Sequence, residues 1–269
     1  NWEELDKQGN KARIRLNSNV VGVKKNDKAG GTKSVTIYFT TNGKFFNVKS
    51  KTVLMAARQD VNRNVCFDLP KNYDAAMAQF AHGPILKLSV AVRHWRFMEK
   101  AGITAFGWDE GDFPATAMIE RKMQIDGKDI EPCDPSKPTI ISIYISMNSQ
   151  LRGMPLLEQA NAARMLLFSL TYSDIEMFVR KQFTKLFEPY GFDAKNDIAA
   201  IVANRYGHAL VCAGPGFFTG KNGQPPPSNL IREPWDNIAF AHADLDGIQT
   251  WSGAATNARN GIKNLLPKI

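Results

Sequence analysis

Ile238-Ala239-Phe240-Ala241 is a run of four apolar residues, with Pro234 shortly before it and Asp244 shortly after. So short a run with no polar face predicts a strand covered on both sides. Asp244 places a carboxylate in the turn that follows. Trp251-Ser252-Gly253-Ala254-Ala255 then begins a helix continued by Ala258 and Ile262, with Ser252 as the expected cap. Unpaired N–H groups and the positive dipole end at a helix start stabilise an anionic group. The small residues there let such a group come close. An ordinary strand, turn and helix with no ligand fits the same residues, so other segments must decide.

Residues 13–57 read as antiparallel strands. Arg13 to Lys24 carries Ile14, Leu16, Val20, Val21 and Val23, and Ser34 to Thr41 alternates Val35, Ile37 and Phe39. Asn42-Gly43 is a strong hairpin signal, and Lys44 to Ser50 returns with Phe45, Phe46 and Val48. Thr52-Val53-Leu54-Met55-Ala56-Ala57 predicts a second short covered strand.

Residues 70–150 change character. Asn72 to Phe80 suits a short helix that Gly83-Pro84 breaks, and Ile85 to Val92 reads as a strand with one lysine, Lys87. As a strand residue Lys87 has an ordinary reading too, an edge lysine reaching solvent. Residues 101–138 are turn-rich, with Gly107, Gly111, Pro114, Gly127, Pro132, Pro135 and Pro138, and predict a loop or short hairpin. Trp108, Asp109, Glu110 and Asp112 form an acidic-aromatic group that either attracts a cationic amine or is a solvated loop. Thr139 to Met147 predicts another strand.

Residues 156–190 recur at helical spacing, as two helices broken around Thr171-Tyr172-Ser173-Asp174. Ser173 and Glu176 are the expected capping box of the second. The apolar strand Ile198 to Ala203 leads into Asn204-Arg205-Tyr206-Gly207-His208. Gly214 to Gly220 is glycine-rich, but the spacing is wrong for a phosphate loop, and Pro225-Pro226-Pro227 leaves no helix to receive a phosphate.

The totals narrow the classes. With 269 residues the chain suits one large domain or two small ones, and 43% hydrophobic against 22% charged residues is a globular balance. The formal charge of +8 comes from Lys and Arg spread along the chain with no recognition motif, so nucleic-acid binding is not expected. Cys66, Cys133 and Cys212 give neither a disulfide framework nor metal-ligand spacing. No apolar run approaches the roughly 18 residues of a membrane helix. The opening Asn1-Trp2-Glu3 lacks an initiator Met, which reads as an internal fragment, a processed chain or a trimmed one.

Taken together, these passages resemble the FAD-dependent amine oxidase family, nearest its bacterial spermidine dehydrogenase-like, NAD(P)-binding-protein branch. The strand before Asp244 and Trp251-Ser252-Gly253 resemble the family's C-terminal flavin motif, with Asp244 where the family usually has Glu and His242 where it usually has Gly. The loop between is about two residues longer than in monoamine oxidases. The resemblance implies a mixed α/β (α+β) fold: the C-terminal part of an FAD-binding Rossmann-like domain plus a mixed-sheet substrate-binding domain. It divides the chain into 1–60 (FAD-binding, the meander and returning strand), 61–205 (substrate-binding) and 206–269 (return to the FAD-binding domain).

The resemblance also implies roles. Lys87, Tyr206 and His208 would be catalytic, with Lys87 holding water beside flavin N5 and the other two forming the substrate-facing wall. Val20, Val21, Ala243, Asp244, Trp251, Gly253, Ala254 and Ala255 would bind FAD. Cys212 lies near the place where monoamine oxidases attach FAD covalently, but its surroundings match poorly. The Gly-rich fingerprint that takes the FAD pyrophosphate is absent, so the resemblance covers only the C-terminal half or so of a family member. It implies a second chain or N-terminal fragment carrying that motif, an amine, polyamine or amino acid as substrate, and an oligomeric state left open. A non-catalytic flavoenzyme-like partner subunit and an FAD-dependent desaturase acting on C–C bonds stand as alternatives.

Overall fold

The computed structural model describes residues 2–26, 33–110, 113–119, 124–129, 134–148 and 153–269. Gly111, Asp112, Pro132 and Cys133, singled out above, lie outside the described residues. The chain runs through β1 (Ser18–Asn26), β2 (Ser34–Thr41), β3 (Lys44–Ser50), β4 (Val53–Met55), α1 (Gln59–Val65), α2 (Lys71–Met77) and β5 (Ala81–Val92). It continues through α3 (Arg96–Ala101), β6 (Ala105–Trp108), β7 (Ala115–Ile119), the small hairpin β8 (Gln124–Ile125) and β9 (Lys128–Asp129), and β10 (Thr139–Ser146). The remainder is α4 (Leu156–Ser169), α5 (Tyr172–Phe187), α6 (Ala194–Asp197), β11 (Ile198–Cys212), α7 (Pro227–Arg232), β12 (Ile238–Phe240) and α8 (Trp251–Leu265). The mixed α/β class expected from the sequence is the class observed.

Two compact units divide the chain, one made of residues 1–81 and 213–269 and the other of residues 82–212. These boundaries differ from the expected 60/61 and 205/206. Residues 61–81 pack with the first unit: the Tyr73 ring lies 5.9 Å from that of Phe240, and its hydroxyl donates to the Glu233 carbonyl at 3.2 Å. Phe80 meets Phe217 edge-on at 5.1 Å.

In the first unit β1, β2 and β3 form an antiparallel meander. Its second turn is Asn42-Gly43, with φ of 48° and 71°, the left-handed pair that a two-residue hairpin of matching twist requires. The register shifts between Val20 and Gly22, a bulge that takes Val21 out of the ladder with β2. Apart from the meander, β4 and β12 pair in parallel, Val53 with Ile238 and Met55 with Phe240. Ile238, Ala239 and Phe240 are all buried, as the apolar run predicts. Helix α8 turns Asn257, Gly261 and Leu265 inward at a spacing of four, one face of a helix.

The second unit is built on a five-stranded sheet in the order β11-β5-β10-β7-β6. Alternation sorts its side chains. Leu86, Leu88, Val90 and Val92 of β5 and Ile141, Ile143 and Ile145 of β10 turn to one face and are at most 1% exposed. Helix α5 covers that face with Ile175, Phe178, Val179, Phe183 and Phe187, an apolar stripe at helical spacing. Phe97, Phe106, Phe187 and Phe192 knit the core, with ring centroids 4.8–5.0 Å apart for Phe97–Phe192, Phe97–Phe187 and Phe106–Phe187.

Gly83 and Pro84 lie inside β5 and do not end a helix. The turn-rich 101–138 contains β6 and β7, both members of the main sheet. The cap of α5 is Thr171, not Ser173: its hydroxyl accepts from the Asp174 amide, and the Asp174 carboxylate accepts from the Thr171 amide. The cap of α8 is Thr250, not Ser252.

Candidate functional site

The first unit carries its candidate residues where β12 ends. His242 follows the strand, then a 3-10 turn, Ala243–Asp246, leads toward α8. Asp244 is fully buried, and its carboxylate is held from three sides. The Gln59 amide donates to Oδ2 at 3.1 Å, Gln249 Nε2 donates to Oδ1 at 2.7 Å, and His242 Nδ1 lies 3.1 Å from Oδ1. Ala243 is 5% exposed. Both residues are buried in this arrangement, and the Asp244 side chain serves an internal brace.

The start of α8 is different. Trp251 is 86% exposed and Ala255 is exposed, while Gly253 and Ala254 are partly so. The Thr250 hydroxyl accepts from the Gly253 amide at 3.1 Å, and the Thr250 carbonyl accepts from the Ala254 amide at 3.1 Å. Among the described residues the amides of Trp251 and Ser252 have no protein acceptor, so two donors at the positive end of a 15-residue helix face outward. Gly253 itself is needed by the protein. A Cβ there would come 2.5 Å from Asp246 Oδ2. That carboxylate accepts from Asn257 Nδ2 at 3.0 Å and, through Oδ1, from Arg232 at 2.8 Å, which fixes the first turn of α8 to the turn before it.

Val20 and Val21 sit at the β1 bulge, 47% and 41% exposed. Val20 lines a groove of about 390 Å³ with Ile37, Phe39, Val48, Asp6, Arg13 and Arg15. The Arg15 hydrogen bond beside Asp6 holds its carboxyl below the usual carboxylate range, with Arg13 adding to it. The bulge leaves Val21 without a direct cross-strand partner on β2.

In the second unit Lys87 points to the sheet face opposite the core and is half-buried. Tyr144 is its direct cross-strand partner on β10, and Lys87 Nζ stands 5.4 Å from the Tyr144 ring centroid. Tyr144 is 39% exposed, and nothing in the sequence reading singled it out. Alternation in the two strand segments puts each residue on the face away from the core, but the pairing register that makes them neighbours is not legible without the structure.

Tyr206 and His208 lie on β11, two residues apart and so on one face of that strand by alternation. Tyr206 is 50% exposed and His208 is exposed. They occupy the strand next to that of Lys87 in the same sheet. Cys212 closes β11 half-buried. Asn148 Nδ2 donates to its sulfur at 3.3 Å, and burial pushes its thiol above the ordinary range. Buried Cys66 is pushed up further, to about 12. Both are unsuited to nucleophilic roles in this state. Among the described residues no helix is long and apolar enough to cross a membrane, and no cluster of metal-ligating side chains occurs.

No protein-family model and no curated protein matches this chain. Solved structures do match. Cyclohexylamine oxidase from Brevibacterium oxydans IH-35A superposes with a TM-score of 0.56 at 15% identity, over 93% of this chain and 47% of that one. Wild-type putrescine oxidase bound to putrescine gives 0.57 at 14% identity, over 92% of this chain and 48% of that one. The fold is that of these amine oxidases. At this identity the likeness concerns the fold alone, and the chain spans about half the length of the amine oxidases it matches.

Proposed function

We propose that this chain is one part of an FAD-dependent oxidoreductase that oxidises the C–N bond of an amine, polyamine or amino acid. We place it nearest the bacterial spermidine dehydrogenase-like branch on the wording of its C-terminal motif, with Asp244, His242 and the longer loop. The observation that carries the reading is Lys87: within an amine oxidase fold, it stands as the one lysine among the described residues of the main sheet, on the non-core face and beside the Tyr144 ring. The half-length coverage supports a second chain or fragment that brings the Gly-rich pyrophosphate-binding turn.

The residues present fit a flavin. The outward amides of Trp251 and Ser252 and the helix behind them suit an electron-rich ring edge. When bound, FAD supplies the acceptor for the hydride equivalent leaving the substrate carbon. This chain's residues do the rest. The α8 start stabilises negative charge, and Lys87 holds a water through its ammonium group. Tyr206 and His208 align the neutral amine. Loss of a hydride and a proton leaves an imine, and water adds to it to release a carbonyl compound and ammonia or a smaller amine.

The test is anaerobic addition of amines to the assembled protein. Loss of the oxidised-flavin absorption with a stoichiometric carbonyl product supports the reading. Flavin that no amine, polyamine or amino acid reduces contradicts it and favours a binding subunit or C–C desaturation.

A further inference from the structure

His242 has φ 143° and ψ 155°, a backbone region that is essentially glycine's own. Such strain persists only where the surroundings over-determine it, and here they do. His242 Nδ1 lies 3.1 Å from both the Asp244 amide nitrogen and Oδ1 of the buried Asp244 carboxylate. That carboxylate is fixed in turn by Gln59 and Gln249. The ring is therefore aimed. A carboxylate can only accept, so Nδ1 faces Asp244 Oδ1 with its proton, and in the imidazolium, the form that a bound anion stabilises, Nε2–H is a donor as well. Nε2 has no partner among the described residues, and the side chain is 25% exposed.

The place is also informative. His242 follows β12, at the carboxyl end of the parallel β4–β12 pair, the end at which ligands bind where such strands belong to an open α/β sheet. The nearby carboxylates are committed: Asp244 to the brace, Asp246 to Arg232 and Asn257, Asp60 to Arg58. The donor left over is matched by an anion.

We propose that His242 Nε2–H donates to a phosphate oxygen of the bound dinucleotide, a contact that a glycine at this position lacks. The proposal rests on the flavin reading above.

The experiment uses the assembled protein stripped of flavin. FAD affinity is measured by titration and the phosphate environment by 31P NMR of bound FAD, for wild type, His242→Gly and His242→Gln. Glycine suits φ 143°, so His242→Gly should fold with a melting temperature at or above wild type. Its FAD affinity should fall on the order of tenfold, the loss of one hydrogen bond to a charged group. Its 31P resonances should move while the flavin absorption bands stay. His242→Gln, which keeps an amide donor near Nε2, should recover part of the affinity. Unchanged affinity in His242→Gly, or moved flavin bands with unmoved 31P resonances, overturns the proposal alone. Wild type that binds no FAD overturns the flavin reading and this proposal with it.

Discussion

The backbone amide of Gln59 donates to Oδ2 of Asp244 at 3.1 Å, joining residues 185 positions apart. The contact ties the start of α1 to the turn after β12. Asp244→Asn keeps the shape but turns an amide N–H₂ toward one of two donors, the Gln59 amide or Gln249 Nε2. We expect a stability loss of about 1–3 kcal/mol from the buried group left unpaired. Thermal unfolding of the variant checks it, and a melting temperature equal to wild type would show that the brace is not needed.

Lys87 separates function from stability. It is half-buried on the non-core face and touches the Tyr144 ring, so Lys87→Met should change stability by no more than roughly 1 kcal/mol. Turnover of the assembled protein should fall on the order of tenfold or more, as when one charge-assisted hydrogen bond is lost. Tyr144→Phe keeps the ring and should leave turnover close to wild type. Tyr144→Leu removes a cation–π contact of about 0.5–1 kcal/mol and should lower turnover in part. Steady-state rates of the three variants decide it, and equal rates for Tyr144→Leu and Tyr144→Phe would rule out the ring's role.

Gly253 leaves no room for a methyl group. A Cβ would stand 2.5 Å from Asp246 Oδ2 and 2.9 Å from Thr250 Oγ1, so Gly253→Ala must push the carboxylate away from Asn257 or move the first helical turn. The expected cost is roughly 1–3 kcal/mol, as for other overpacked sites, despite the better helix propensity of Ala. Chemical denaturation reads it directly, and a stabilised variant would mean that the carboxylate shifts freely.

Asp236 gives the stability curve an acid limb. The Lys33 ammonium at 2.9 Å, helped by Lys25 at 3.1 Å, holds its carboxyl below the ordinary value of 3.8. A depressed folded-state value means that the stabilisation is complete above about pH 3.8 and is lost as pH falls through the folded value. Asp236→Asn keeps a residue that tolerates the observed φ of 55°. The wild-type advantage over this variant should be at most about 1 kcal/mol at pH 7, because the pair is partly exposed, and should shrink toward zero in acid. Melting temperatures at both ends of the range check the sign, and a gap that widens in acid would contradict the assignment.

How much of this was legible depended on whether the physics was local. Asn42-Gly43 predicts its hairpin because two left-handed residues suit almost nothing else. Ile238–Phe240 and Val53–Met55 predict covered strands because a short run without a polar face has few other places to go. The strands β6 and β7 were not legible, since Gly107 and Pro114 read as turn formers and only sheet pairing overrides them. The cap of α5 shifted by two residues because Thr171 and Ser173 each begin an acceptable capping box, and only the backbone entry angle chooses between them. Asp244 was legible as a carboxylate near a helix start, but its burial was not, because Gln59 and Gln249 reach it from remote or loop positions. Tyr144 escaped notice because its meaning lies in cross-strand register.

The most direct measurement is the visible absorption spectrum of the purified assembly, taken with denaturing mass spectrometry of its polypeptides. The account predicts an oxidised-flavin spectrum that an amine bleaches, in a preparation containing a segment with the Gly-rich pyrophosphate-binding turn. A colourless protein with no such segment would contradict it.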